Sequence, residues 1–517
     1  MSHRPARRAA LAAFCLLPLA APLIAPLIAP RAIAAEPPTP EQAQLLEQQL
    51  RAWYAATFGA GPAAPDHPAR VTAEGDHYRI AAPFAGLFGA RAEGAGAVTA
   101  AMRPLPDGTW SLDDIRVPSP QHFTMTLAAH PQHGKGPGAP VPVDVNLTLA
   151  DQKAHAVFDP SYAAPSTFTG SYGAFDMRLD SAVEKQTQHF DGYTVNASLR
   201  PAAGGRIDVL EDVVAHGYAS TQHDPDGHEL RLQAARMQIA SHLDAVDRTR
   251  VPPVMQAAMR LSGAMMSAMD TARAQPGAEK ALPPLDRTTL HDLLLALRDV
   301  ASGGEVDETL DGLHVAFDTH TVDLAHAALG LGAEAPGGML EAHLALALDG
   351  LQVPELPLQA NQYMPRHIEL RPMISGVSVA DLTRMGLMAT EPDFTPSRLG
   401  PQVDTLLSHG GITVGFETLA FDIGPAKFSG RGKVLVHSSA DQTGQAEIEA
   451  SGFDALMQKV QKDPALSEGF PVLVLARGLA RPSGDRLVWT IDLQGDRLTV
   501  NGTDLSSVLG GKPAQKR

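Results

Sequence analysis

The sequence predicts a mainly β protein, either an elongated antiparallel sheet or a β-rich two-lobed architecture, with short decorating helices. Three observations carry that expectation. Val141, Val143, Val145, Leu147 and Leu149 alternate with Asp144, Asn146 and Thr148, the period of two that a strand shows when one sheet face is dry and the other wet. The 517 residues include 46 Gly and 42 Pro, which cut the chain into short elements and argue against long helical bundles. The single cysteine, Cys15, sits inside an N-terminal apolar run. The remainder must therefore be held by its core, as a chain of this size can be.

That N-terminal run has the order of a secretory signal. Arg4, Arg7 and Arg8 come first, Leu11 to Ala29 carries no charge, and Ala32 and Ala34 supply a small-x-small exit. Residues 1–34 are read as a signal peptide cleaved after Ala34. Pro18, Pro22, Pro26 and Pro30 interrupt the apolar stretch, which disfavours an uncleaved inner-membrane anchor. Phe14 precedes Cys15 where a lipid-attachment motif needs a small residue. With the leader go four arginines and no acid, so the exported part is more acidic than the net −16 of the whole chain. Without clustered Lys and Arg, a nucleic-acid partner is excluded.

Residues 35–249 read as an N-terminal β-rich lobe. Thr39-Pro40-Glu41 opens it as a helix start, with Leu45, Leu46, Leu50, Trp53, Tyr54 and Phe58 on one apolar face leaning against a sheet. From Val71 the period falls toward two. In GTWSLDDIRV, Trp110 and Leu112, and Ile115 after a small irregularity, point the same way. Strands continue through TGSYGAFDMRLDS, DGYTVNASLRP, GRIDVLEDVVAHGYAS and HELRLQAARMQIAS. PQHGKGPGAP lacks the Gly-Lys-Ser/Thr ending of a phosphate loop and is rejected as one.

Residues 250–300 read as a helical insertion. Met255, Met259, Met266 and Met269 line one helical face, and a second short helix at LHDLLLALRDV turns Leu290, Leu293, Leu294 and Leu297 inward. Residues 301–510 form a C-terminal β-rich lobe and 511–517 a flexible tail. The lobe contains DGLHV at Asp311 and DGLQV at Asp349, a hint of a repeated unit. Short helices are expected within the span Ser378–Ser408 and at FDALMQKVQ. PVLVLARGLARP and DRLVWTIDLQGDRLTVNGTDL are read as the strands that follow. In the latter, Leu487, Trp489, Ile491 and Leu493 share a face and Gln494-Gly495-Asp496 turns the chain back to Leu498 and Val500.

QYMPRHIELRPMISGVSVADLTRM (Gln362–Met385), IEASGFDALMQKV (Ile448–Val460) and LTVNGTDLSSVL (Leu498–Leu509) resemble the DUF2125 family of uncharacterised alphaproteobacterial envelope proteins. The resemblance implies a periplasmic location and brings no catalytic residue, cofactor or ligand.

Catalytic signatures are sparse. No Gly-x-Ser-x-Gly elbow is present. His216, His223 and His228, with Asp224, Asp226 and Glu229, are the densest group of metal-ligand types, but DPDG is a turn sequence that collects polar residues for solvation alone. His314, His320 and His326, taken in one strand, stand six residues apart, roughly 20 Å, too far to share an ion. Asp113/Asp114 and Glu305/Asp307/Glu308 are assigned to hydrophilic turns without aromatics for sugar stacking. No cofactor or metal is expected.

The balance points to a noncatalytic envelope protein that binds an apolar or amphiphilic ligand, a lipid being the natural type. Met255, Met259, Met266 and Met269 are its candidate contacts, because methionine adapts to irregular apolar shapes. A structural or protein-interaction module of the envelope, with an envelope protein as partner, and an unrecognised secreted hydrolase are the alternatives.

Overall fold

The computed structural model describes residues 37–58, 69–83, 96–127, 141–159, 164–181, 185–223, 227–251, 253–254, 257, 287–297, 300–357, 361–391, 393–438, 441–463 and 469–506. The chain is mainly β, with antiparallel strands and short helices. It forms two compact units: residues 1–302 with 314–320, and residues 303–313 with 321–517. The expected leader, the methionine helix, the rejected loop at 131–140 and the C-terminal tail lie outside the described residues.

The first unit opens with helix α1, Pro40–Phe58. The Thr39 hydroxyl accepts from Gln42 N at 3.3 Å, the capping bond its sequence predicts. Leu46 and Leu50 are buried in the core, but Leu45 is half exposed, a correction to the apolar face drawn above. It precedes Leu46 by a turn of about 100° and so points off the contact line. Tyr78 ties the helix to the sheet, its hydroxyl accepting from Thr39 N and donating to Gln42.

The strands that follow are β1 (Arg70–Glu74), β2 (His77–Pro83), β3 (Ala97–Pro104), β4 (Trp110–Arg116), β5 (Gln121–Leu127), β6 (Val141–Leu149), β7 (Lys153–Asp159), β8 (Ala164–Tyr172), β9 (Phe175–Ser181), β10 (Lys185–Phe190), β11 (Gly192–Pro201), β12 (Ile207–His223) and β13 (Glu229–Val246). They pair in two branches. One runs β1-β2-β3-β4-β7-β8-β11; the other runs β5-β6-β9-β10. The chain alternates between them, hairpin by hairpin.

Both branches end on β12. Its first half pairs with β11, down to Gly192 opposite His216; its second half pairs with β10, from His189 opposite Ala219. Gly217 sits at the changeover with φ +63°, and a Cβ there would stand 1.9 Å from Asp191 Oδ2. Only glycine fits this site.

Each branch carries its own dry face. Leu112, Ala156, Phe158 and Val195 are fully enclosed in the first, Phe123, Val143 and Val145 in the second. Trp110, Leu112 and Ile115 share the buried side, with Asp114 at φ 51° supplying the irregularity between them. Burial of a side chain such as Phe158 contributes about 1.5–3 kcal/mol. Tyr172 and Tyr193 stack with ring centroids 4.5 Å apart between the branches, and burial pushes the Tyr172 hydroxyl up to about 12. Helix α2, Arg287–Leu297, follows; its Leu297 is exposed and not inward, since it lies in the last turn.

The second unit is a meander. Strands β14 (Gly303–Phe317) and β15 (His320–Glu334) form a hairpin through Asp318-Thr319, of which residues 314–320 are counted with the first unit. This corrects the single strand expected for His314–His326: Asp318 adopts φ 51° and turns the chain. Then come β16 (Met339–Asp349), β17 (His367–Ser378), β18 (Ile412–Ile423), β19 (Ala426–Val436), β20 (Gln442–Ser451), β21 (Arg481–Ser483), β22 (Arg486–Gln494), β23 (Arg497–Val500) and β24 (Thr503–Asp504). From β15 to β20 each strand pairs antiparallel with its successor, and β22 closes on β20. The hairpin expected at Gly495 is present, with Leu493 opposite Leu498.

Between the strands lie α3 (Val379–Ala389) and α4 (Leu399–Ser408), then α5 (Phe453–Lys462) and α6 (Phe470–Leu479). The last is a correction, because PVLVLARGLARP is a helix and not a strand. Its apolar run hides the period, while Pro471 at the first turn is a helix-start signal.

Candidate functional site

The second unit's strands have two chemically distinct faces. On the wet face, His326 Nδ1 donates to Asp311 at 2.7 Å and His367 Nδ1 to Asp349 at 2.6 Å. Arg371 meets Glu417 at 3.0 Å and Arg486 meets Glu449 at 2.7 Å. Such exposed pairs contribute about 0–1 kcal/mol each; their effect is to keep this face hydrated. Glycines make room for them. A Cβ at Gly332 would stand 2.2 Å from the His343 ring, and one at Gly330 2.6 Å from Asp307 Oδ1.

The other face is apolar and runs in register across the strands. Leu329 pairs with Leu346, Leu346 with Leu370, and Leu370 with Leu419. The row then passes through Gly430 and Ile448 to Trp489.

Its cover is uneven. At the β19–β22 end, α5 and α6 lie on the sheet. Phe453 meets Trp489 edge-on at 5.6 Å, and the Trp489 indole donates to Ala476 O at 2.8 Å. Ala450, Leu487 and Trp489 are buried there. At the other end the described residues are less covered. Among the described residues from 303 to 376, no apolar side chain is fully buried. Leu331 is 56% exposed, and Val414, on the neighbouring part of the same face, 47%. A sheet face this apolar is ordinarily closed by a second layer.

Glu308 stands at the edge of this region. Asp307 lies over Gly330, and Glu305 approaches His343 Nε2 at 3.6 Å, both on the wet face. Strand alternation therefore turns Glu308 and Val306 to the apolar side, where burial pushes the Glu308 carboxyl above its ordinary value. The charge pattern predicts a turn for Glu305, Asp307 and Glu308; they lie instead inside β14. Their density of charge obscured the alternation with Val306 and Leu310. Asp113 and Asp114 likewise lie inside β4. Burial raises Asp113, but hydrogen bonds from His155 and Ser111 outweigh it and hold the carboxyl low.

The remaining sequence-derived candidates do not gather here. Met255, Met259, Met266 and Met269 lie outside the described residues. His216 and His223 are seven residues apart on β12, roughly 23 Å at the strand rise. His223 faces Glu229 at 3.9 Å, while His228 donates to Asp318 at 2.7 Å and stacks on Phe317. Asp224 and Asp226 lie outside the described residues. Among the described residues, no three His, Cys, Asp or Glu are placed to hold a metal ion, and no helix is long and apolar enough to cross a membrane.

The arrangement offers adhesion to an apolar surface beside the Glu308 carboxyl. The resemblance to the DUF2125 family rests on the three quoted segments alone: no family model matches this chain, and no curated protein matches it.

Proposed function

We propose that this chain is a noncatalytic periplasmic envelope protein that binds an amphiphile on the half-covered apolar face of its second unit. The observation that supports the reading most is the stretch from 303 to 376, spanning β14 to β17, without one fully buried apolar side chain among the described residues. Covering apolar surface contributes about 25 cal/mol per Å², so a tail laid on Leu346 and Leu370 is favoured wherever the site is open. The secretory-type leader and the family resemblance agree with an envelope location.

Native mass spectrometry of protein purified without detergent tests this. An acyl-chain amphiphile is expected to co-purify, or dodecyl maltoside, an alkyl amphiphile, to be taken up when offered, and this binding to be lost in the Leu346→Asp variant. A wild-type sample that carries none and takes up none overturns the reading.

One observation favours a second reading, a protein-interaction module. Helix α6 packs partly buried Leu473 and Ala476 against the sheet yet leaves Val472 67% exposed and Leu475 54% exposed, and apolar patches of this kind mark contact surfaces. If that reading governs, Val472→Ser with Leu475→Ser abolishes association with an envelope protein and leaves amphiphile uptake unchanged.

A further inference from the structure

The position of Glu308 narrows the ligand class. We propose that the amphiphile on this face carries a cationic, ammonium-type head group that pairs with Glu308 while its tail lies along the Leu329–Leu346–Leu370–Leu419 row. This inference rests on the amphiphile reading above and adds a head group to it.

Three observations support it. First, Glu308 is the acid of its strand turned to the apolar side; Glu305, Asp307 and Asp311 all reach the wet face, toward His343, Gly330 and His326. Second, the Glu308 carboxyl forms no hydrogen bond or ion pair among the described residues, and burial alone raises it. A carboxylate against apolar neighbours is disfavoured until a proton or a cation meets it. Third, Glu308 lies at the margin of the leucine row and not within it. Asp307 sits over Gly330, and in an antiparallel hairpin the next residue falls beside Leu329. From Leu329 to Leu419 the row spans roughly 14 Å at the standard strand spacing. A ligand with its charged end at Glu308 can thus lay a tail across four strands.

The sign of the charge follows. An anionic head group would bring two negative charges together on a surface that solvates neither. The chain's net charge of −16 adds repulsion at longer range. A cation offsets both terms.

Isothermal titration of the full chain with dodecylammonium, laurate and dodecyl maltoside, each below its micelle concentration, tests the inference. Wild type and Asp307→Asn are expected to prefer dodecylammonium over laurate by at least about tenfold. Glu308→Gln is expected to cut that preference below about threefold and to leave dodecyl maltoside affinity unchanged. The Asp307 variant removes the same charge from the opposite face, so it separates a local pair from general attraction. If none of the three probes binds the wild type, the amphiphile reading itself fails. If dodecyl maltoside binds and Glu308→Gln keeps the wild-type preference, only the head-group inference fails. An independent readout on wild-type protein is carbodiimide coupling of bound dodecylamine followed by peptide mapping. An adduct at Glu308 is expected; adducts confined to other acids overturn the proposal.

Discussion

His367 Nδ1 donates to Asp349 Oδ1 at 2.6 Å across the β16–β17 pair, and His326 makes the same bond to Asp311 at 2.7 Å. Both aspartates open an Asp-Gly-Leu step, and both following glycines take positive φ, 62° at Gly312 and 68° at Gly350. The two steps are therefore alike in bonding as well as in sequence. These hydrogen bonds are half exposed, so a double-mutant cycle of Asp349→Asn and His367→Gln is expected to return a coupling under about 1 kcal/mol in urea denaturation. Gly350→Ala should cost more than either, about 1–2 kcal/mol from backbone strain alone, because its Cβ would also stand 2.7 Å from Ala325 Cβ.

The two units should respond differently to truncation of a leucine. Leu112 in the first unit is fully enclosed, and Leu112→Ala is expected to cost about 2–5 kcal/mol. Leu346 keeps part of its surface in solvent, so Leu346→Ala should cost about 1 kcal/mol, the remainder of the transfer term being absent already. Native-state hydrogen exchange of β4 and β16 reads each loss in its own unit. Equal losses would mean that the second unit's apolar face is as well covered as the first unit's core.

Gly217→Ala probes the changeover on β12. Its φ of +63° and the 1.9 Å approach to Asp191 act together. The expected loss is about 2–4 kcal/mol, from left-handed strain plus steric overlap. Asp191→Gly in the same chain should recover the steric part and leave the strain, visible as a partial return of the thermal midpoint.

Glu211 provides the pH test. It shares a strand face with buried Val213 and Ala215, and burial raises its carboxyl. A folded value above the unfolded one means that the folded state holds the proton more tightly. Its contribution to stability is complete below the unfolded value and is lost as pH climbs through the folded one. Glu211→Gln should therefore raise the midpoint at pH 8 and leave it unchanged near pH 4. The gain should be under about 1 kcal/mol, since the carboxyl keeps some solvent.

Much of this architecture is written in the period of the chain. Val143, Val145 and Leu147 alternate and are buried as alternation demands, and Trp110, Leu112 and Ile115 share a side even across the kink at Asp114. The pairing of β4 with β7 and of β6 with β9 was not legible. Local pattern specifies that a strand has a dry face, while the choice among distant neighbours depends on the whole core. Helix α6 was missed because Val472, Val474 and Leu475 remain exposed and remove the polar side on which a helical period is read. Glu308 was missed for the opposite reason: three acids in four residues read as a turn, and only the contacts of Glu305 and Asp307 separate the one that faces the leucines.

Because one continuous strand, β12, supplies an edge to both branches of the first unit, neither branch can peel away without leaving bare amide and carbonyl groups on the other's last partner. Their openings are tied to a common event, and fluctuations that release a hairpin at Phe123 or at Tyr78 are answerable to the same backbone around Gly217. A single residue without a side chain thus couples the cooperativity of the two branches.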